Sequence, residues 1–120
     1  MKVGTDITVV SRIESSYNRF GERFLEKFLN TEEQKSLSSK IESIAGYWAA
    51  KEAISKALGC GIGKELSFHD ITLYKDEKGA PHFKLSEEAR ERHKMKSSSL
   101  SIAHDGGFAI AIAIVMKLES

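Results

Sequence analysis

A chain of 120 residues with 41% hydrophobic content and one proline is close to the commonest domain size, so one compact domain over residues 1–120 is expected, with a real but modest core. Its 18 Lys and Arg against 17 Asp and Glu leave a net charge of +1, which excludes a general attraction for nucleic acid or anionic lipid, so any electrostatic partner must be met by a local patch. A single cysteine, Cys60, excludes an internal disulfide framework and a cysteine zinc cluster, and no apolar run is long enough to span a bilayer; a soluble, cytoplasmic protein with no membrane or nucleic-acid partner is expected.

Lys2 to Val10 is rich in β-branched residues, and Val3, Ile7 and Val9 share a parity, which predicts a first strand ending near Asp6 or a little beyond. Ser11-Arg-Ile-Glu14 has the pattern of a capping box and predicts a helix from about Arg12. If that helix ran on through Gly21, Arg12, Arg19, Arg23 and Lys27 would form one basic stripe, with Phe20, Phe24 and Phe28 facing elsewhere. Asn30 with Glu33 and Thr31 with Gln34 are overlapping capping patterns for a short helix from about Thr31 to Leu37, and Ser39-Lys-Ile-Glu42 is a further box that opens a long helix.

The long helix is the strongest in the chain. In Trp48-Ala-Ala-Lys-Glu-Ala-Ile-Ser-Lys-Ala-Leu-Gly59 a period of about 3.6 residues puts Ala50, Ala53, Ile54, Ala57 and Leu58 on one apolar stripe. Ile41, Ile44, Ala45 and Trp48 lie on the other side, a pattern that wants apolar cover on both sides and suggests a subunit interface in so small a domain. Gly59 gives the helix a left-handed stop. Beyond it, Asp70 to Lys75 and Pro81 to Leu85 are predicted as a hairpin, and Ser86 as the cap of a polar surface helix through roughly Lys94. Ser98 to Ile102 and Phe108 to Met116 are two further strands joined at Asp105-Gly106-Gly107. In the last strand Ile110, Ile112 and Ile114 alternate with Ala109, Ala111 and Ala113, so one face is bulky and the other lets something approach closely. Leu100, Ile102 and His104 share a face that brings His104 to the turn end.

Singly, the polar candidates have ordinary explanations. Glu52 and Lys56 are an i, i+4 pair in the favourable order, worth only about 0.3 to 0.5 kcal/mol on an exposed face. Asp6 suits a turn or cap, His104 a satisfied histidine beside a glycine turn, and the arginines a solvated surface. The run from Gly59 to Gly63 does not read as a phosphate loop, because there the glycines precede a helix and offer free amides at its positive end, whereas here they follow one.

Together, however, Gly4-Thr-Asp6 with Arg12 six residues on, Trp48 to Gly59, and Ser101-Ile-Ala-His-Asp105 resemble, in order, the three signatures of the holo-[acyl-carrier-protein] synthase family, the small single-domain 4'-phosphopantetheinyl transferases. The resemblance implies an α+β fold, a small antiparallel sheet packed on a long central helix, usually as a homotrimer with active sites at subunit interfaces. It also implies Mg2+-dependent transfer of the 4'-phosphopantetheine arm of coenzyme A to a serine of apo acyl carrier protein, releasing adenosine 3',5'-bisphosphate and supporting fatty acid biosynthesis. By the same resemblance Asp6 and Glu52 bind the metal, Lys56 steadies the diphosphate or the leaving group, and His104 contacts the nucleotide or its phosphate; these four are the implied catalytic set. Lys56, Gly59, Gly61, Lys64 and His104 are the implied coenzyme A contacts, and Arg12, Arg19 and Arg23 the basic residues that dock the acidic carrier. These residue types suit the reaction, because phosphoryl transfer spreads negative charge that a hard cation and fixed positive groups must meet. Tyr47 stands where members often carry an arginine for a coenzyme A phosphate, which leaves Lys64 or Lys51 to replace it, and Ala103 stands where a hydroxyl residue is common. A non-catalytic carrier-binding module would use the arginines without needing Asp6 or Glu52, and a structural oligomer would need neither the basic face nor His104.

Overall fold

The structure, a computed structural model, describes residues 1–118. Strand β1 (Lys2–Val9) runs directly into helix α1 (Val10–Phe20), followed by α2 (Glu22–Phe28), α3 (Thr31–Ser36) and the long α4 (Ile41–Leu58). A 3-10 turn over Phe68–Asp70 leads into the hairpin of β2 (Ile71–Lys75) and β3 (Pro81–Leu85), then α5 (Glu87–His93), β4 (Met95–Asp105) and β5 (Phe108–Lys117). One antiparallel sheet has the order β1-β5-β4, and β2 with β3 forms a second, two-stranded sheet. Helix α4 packs on β1 and β5 and is also covered by α1 and β4. This is the α+β arrangement of a small antiparallel sheet on a long central helix that the sequence implied. Among the described residues no helix is long and apolar enough to cross a membrane.

Side-chain size decides which face of the sheet meets α4. Ala109, Ala111 and Ala113 of β5 are fully buried against the helix, while Phe108, Ile110 and Ile112 are each 43% exposed on the far side. The surface that the alanines leave open to close approach is therefore filled by the protein's own helix. In β1 the buried residues are Gly4 and Thr8, and the apolar parity of Val3 and Ile7 marks the outer, exposed face. Gly4 is required: a Cβ there would collide with the backbone carbonyl of Ala53 and the amide of Ala57, atoms of a helix that cannot turn aside. The two-sided cover of α4 that the sequence assigned to a subunit interface is supplied within the chain, by the sheet on one side and the α1, α2 and hairpin region on the other. What remains uncovered is the outer face of the sheet.

Of the boxes expected from the sequence the Asn30–Glu33 one forms, with the Asn30 amide donating to Glu33 Oε1 at 2.7 Å, and Ser86 caps α5 as expected, its Oγ accepting from the Ala89 amide at 3.3 Å. Ser11 cannot cap α1, because the chain passes from β1 into the helix without a break and Ser11 is already inside it, with Val9 at the cap position. Ser39 does not cap α4 either; Lys40 occupies that position, and its amide bonds Ser38 Oγ at 3.3 Å. Gly21, at φ 58° and ψ −136°, breaks the first helical region in two, so the arginine stripe is not one continuous helix face. The break turns Phe24 and Phe28 inward, where they cluster with Trp48 and Phe68 at ring separations of 5.1 to 6.1 Å.

A charged pair is buried beside this cluster. Lys51 Nζ lies 2.8 Å from Glu33 Oε1, and both side chains have 0% exposure. Breaking such a pair leaves an uncompensated charge in the core, which costs about 3–5 kcal/mol. Glu33→Ala is therefore expected to lower the urea midpoint by an amount equivalent to that loss; a shift under about 1 kcal/mol would show that water reaches Lys51 readily.

Candidate active site

Strand alternation points Gly4, Asp6 and Thr8 toward α4, and the close approach at Gly4 brings Asp6 to the flank of the helix that carries Trp48, Glu52 and Lys56 one turn apart. Lys56 Nζ lies 3.0 Å from Asp6 Oδ1, and Thr8 Oγ1 donates to Asp6 Oδ2 at 2.6 Å. Lys56 thus pairs across the fold with Asp6 rather than along the helix with Glu52. The Asp6 side chain is only 14% exposed, whereas that of Lys56 is 52% exposed and free to swing. Glu52 is half-buried, and burial first, then the negative charge of Asp6, raise its carboxyl above the usual carboxylate range against the opposing pull of Lys56. Asp6, Thr8, Arg12, Trp48 and Glu52 line one groove of about 340 Å3, with Ile13 and Phe24 in its wall.

In this groove two carboxylates share a partly desolvated space, with Lys56 bonded to Asp6 and the exposed Arg12 in the lining, and a divalent cation between the carboxylates would offset the burial and the Asp6 charge that raise Glu52. No group of three or more His, Cys, Asp or Glu forms a metal cluster among the described residues, so two carboxylates would leave most coordination positions to water and phosphate oxygens. That donor set fits Mg2+, which dehydrates reluctantly, and not the closed nitrogen and sulfur cage of structural zinc.

Residues 2–113 match the family described as the 4'-phosphopantetheinyl transferase superfamily. The chain belongs to this superfamily. It is 55% identical over 115 residues to the holo-[acyl-carrier-protein] synthase of Sulfurovum sp., covering 96% of each chain. The crystal structure of Helicobacter pylori holo-[acyl-carrier-protein] synthase in complex with coenzyme A superposes with a TM-score of 0.92 at 49% identity, covering 95% of this chain and 99% of that one. A Bacillus anthracis holo-(acyl-carrier-protein) synthase in complex with CoA (3',5'-ADP) gives a TM-score of 0.81 at 36% identity, covering 98% and 96%.

In this phosphopantetheinyl transferase the other residues singled out from the sequence lie elsewhere. The sheet register sets Thr8, Ala109 and His104 in one row, so His104 is two strands from Thr8, about 10 Å away across the sheet. It lines a separate cleft of about 170 Å3 with Glu42, Gly46, Tyr47, Lys75 and Ile102. Within one chain, then, the structure joins Asp6, Glu52, Lys56 and Arg12 and leaves His104 in a different cleft. Arg19 and Arg23 are exposed on α1 and α2 outside the groove, with the Arg19 guanidinium 5.1 Å from the centre of the Phe20 ring. The Gly59 amide donates to Lys56 O at 3.0 Å and the Gly61 amide to Ser55 O at 3.2 Å, so both close the end of α4 and offer a ligand bare backbone rather than free donors. Lys64 is exposed in the loop beyond them.

Lys51 cannot replace the arginine absent at Tyr47, because its ammonium is buried and spent on Glu33, Phe28 O and Phe68 O. The cation that does stand beside Tyr47 in the His104 cleft is Lys75, and Tyr47 itself stays a neutral phenol, its pKa raised by burial and by Glu33. Thr8 as the partner of Asp6 and Trp48 as a groove wall were also missed. A two-residue step from Asp6 would have found the first and a four-residue step back from Glu52 the second; nothing local marks Lys75.

Proposed function

We propose that the protein transfers the 4'-phosphopantetheine arm of coenzyme A to a serine hydroxyl of apo acyl carrier protein, releasing adenosine 3',5'-bisphosphate, in the cytoplasm and in support of fatty acid biosynthesis. Residues 1–120 act as one transferase domain. The observation that carries this reading is that strand and helix bring Asp6 and Glu52 to one groove, with Lys56 bonded to Asp6 beside it. It gains support from relatives whose own names specify holo-[acyl-carrier-protein] synthase and from two solved with coenzyme A.

Asp6 and Glu52 would hold Mg2+, which when bound neutralises charge on the diphosphate. Thr8 holds Asp6 in place through its hydroxyl, and Lys56 can leave its pair with Asp6 to meet phosphate oxygens as they gain charge. The serine oxygen forms the new bond to the phosphorus next to the pantetheine, the bond from that phosphorus to the nucleotide's phosphate breaks, and the serine proton passes to water or to a carboxylate such as Glu52. His104, Lys75 and Lys64 are the groups for the nucleotide and its phosphate, with the glycine surface at Gly59 and Gly61 allowing close approach. A homotrimer accounts for the separation of the two clefts: the exposed outer face of the sheet, with Val3, Ile7, Phe108, Ile110 and Ile112, is an apolar surface that a second copy would cover, so that coenzyme A could span two chains.

The test is to incubate the protein with apo acyl carrier protein, coenzyme A and Mg2+ and weigh the carrier by mass spectrometry. A carrier heavier by one phosphopantetheine is expected; an unchanged mass defeats the reading. Arg12 lies in the groove, and Arg19 and Arg23 are exposed beyond it, all suited to an acidic carrier. Arg12→Glu is expected to raise the KM for the carrier about tenfold at low salt and to flatten its salt dependence, because a rim charge acts through steering that ions screen. Equal salt slopes for variant and parent would remove Arg12 from the docking face.

A further inference from the structure

The buried Lys51–Glu33 pair has no part in the chemistry above, and it adjoins Glu52 in sequence. Lys51 Nζ donates to Phe28 O at 2.7 Å, to Glu33 Oε1 at 2.8 Å and to Phe68 O at 3.0 Å, which uses all of its protons. Glu33 in turn accepts from the Asn30 amide through Oε1 and from the Leu73 amide through Oε2 at 2.8 Å. One ammonium on α4 is thereby tied to the end of α2, to α3, to the 3-10 turn and to β2.

Among the described residues, the side of the helix that faces the sheet is held by small side chains and by the half-exposed Lys56–Asp6 pair rather than by a buried polar network. There Ala53 and Ala57 rest on Gly4 and on a strand face of alanines. Such a contact fixes how near α4 sits but, having no large side chains to interdigitate, does little to fix its rotation. Successive helix residues differ in direction by about 100°, so holding Lys51 toward α3 and β2 turns Glu52 toward β1 and the Asp6 groove. A roll of the helix would sweep Glu52 out of reach of Asp6 and pull Trp48, one turn before it, away from Phe24, Phe28 and Phe68, so the aromatic cluster and the ion pair hold the same rotation while the alanine contact resists it least.

We propose that the Lys51–Glu33 pair sets the rotation of α4 and so aims Glu52 at the Asp6 groove, making Lys51 and Glu33 positioning residues for the proposed cation and diphosphate site. The inference rests on the transferase reading above. Buried ion pairs can often be replaced by neutral groups of similar volume without loss of stability, so stability and aim are separable.

The test uses the doubly substituted Lys51→Met, Glu33→Gln protein, in which methionine fills the lysine stem's volume and glutamine keeps an acceptor for the Leu73 amide. Glu33→Asp is the second variant: it keeps both charges but withdraws the anchor by one methylene. Mn2+ binding in the presence of coenzyme A is read from the loss of the free-ion electron paramagnetic resonance signal, with coenzyme A alone subtracted, beside kcat and the KM for carrier. In whichever variant folds, Mn2+ affinity and kcat are expected to fall at least about tenfold, as for other groups that orient metal ligands, with the carrier KM unchanged. Folded variants that match the parent in Mn2+ affinity and kcat overturn the proposal and leave the pair as a stability element. A parent that binds no Mn2+ with coenzyme A and modifies no carrier is instead a failure of the transferase reading.

Discussion

Glu52→Gln is expected to slow transfer by about 100- to 1000-fold while leaving carrier binding largely intact, since a metal acting as Lewis acid contributes several kcal/mol and each 1.4 kcal/mol is about a factor of ten. The substitution is nearly isosteric, so Asp6, Lys56 and the groove walls keep their places. It also separates function from stability. Because burial and Asp6 raise the Glu52 carboxyl in the folded state, folding favours its protonated form. The stability this gives is present below the ordinary carboxylate pKa and is lost as pH rises through the elevated one. At neutral pH the metal-free parent therefore carries a strained charge that glutamine removes. The metal-free variant should melt no lower than the parent at neutral pH, with any advantage vanishing in acid. A variant with parental activity would remove Glu52 from the proposed metal site; one that melts lower at neutral pH would show that its charge is already matched within the fold.

Gly4→Ala is the second substitution with a large expected effect. Its added methyl would meet the Ala53 carbonyl and the Ala57 amide, and main-chain atoms of a helix cannot rotate out of the way. Overpacking typically costs about 1–3 kcal/mol, and the upper end applies here, equivalent to a fall in Tm of roughly 10 °C for a domain of this size. Activity in the folded fraction should fall further, because α4 can yield only by moving off β1, and that movement parts Glu52 and Lys56 from Asp6. Gly46→Ala is the control. There the added methyl meets only Ile102 Cγ2, at 3.0 Å, a side-chain atom that can shift. If the two variants melt alike, the close contact at Gly4 does not hold the helix to the strand.

These two glycines show what could be read from the sequence and what could not. Gly4-Thr-Asp6 stood out as a motif, but the reason for its glycine lies in Ala53 and Ala57, remote in sequence. The alanines of β5 were readable as a face of close approach, whereas the partner on that face was not. In β1 the apolar parity of Val3 and Ile7 was clear, yet parity alone cannot say whether such a face meets the chain's own core or points away from it; small size on the other face decided that. The Asn30–Glu33 box formed because a loop precedes α3 and leaves Asn30 extended, while the Ser11 box failed because β1 feeds straight into α1. Glu33 has a second role in holding Lys51, across 18 residues of sequence, which no local pattern reveals. Asp6, Glu52 and Lys56 were readable as a set only through their motifs. Their spacing gave an i, i+4 pair, and the fold replaced it with the pair between Lys56 and Asp6.

The order of strands also bears on how the protein is made. Among the described residues β1 lies at one edge of its sheet with β5 as its neighbour, Lys2 opposite Val115 and Val9 opposite Phe108. The first strand synthesised must therefore wait for the last before its hydrogen bonds can close, a high-contact-order step that is slow and is paid in loop entropy. During translation α4 can form from local contacts, but Asp6 has no strand to hold it until residues 108–115 have left the ribosome. A nascent chain cut short before β5 would carry Glu52 and Lys56 on a helix with the groove unbuilt, so the proposed site depends on a strand about fifty residues further along the chain than its helix.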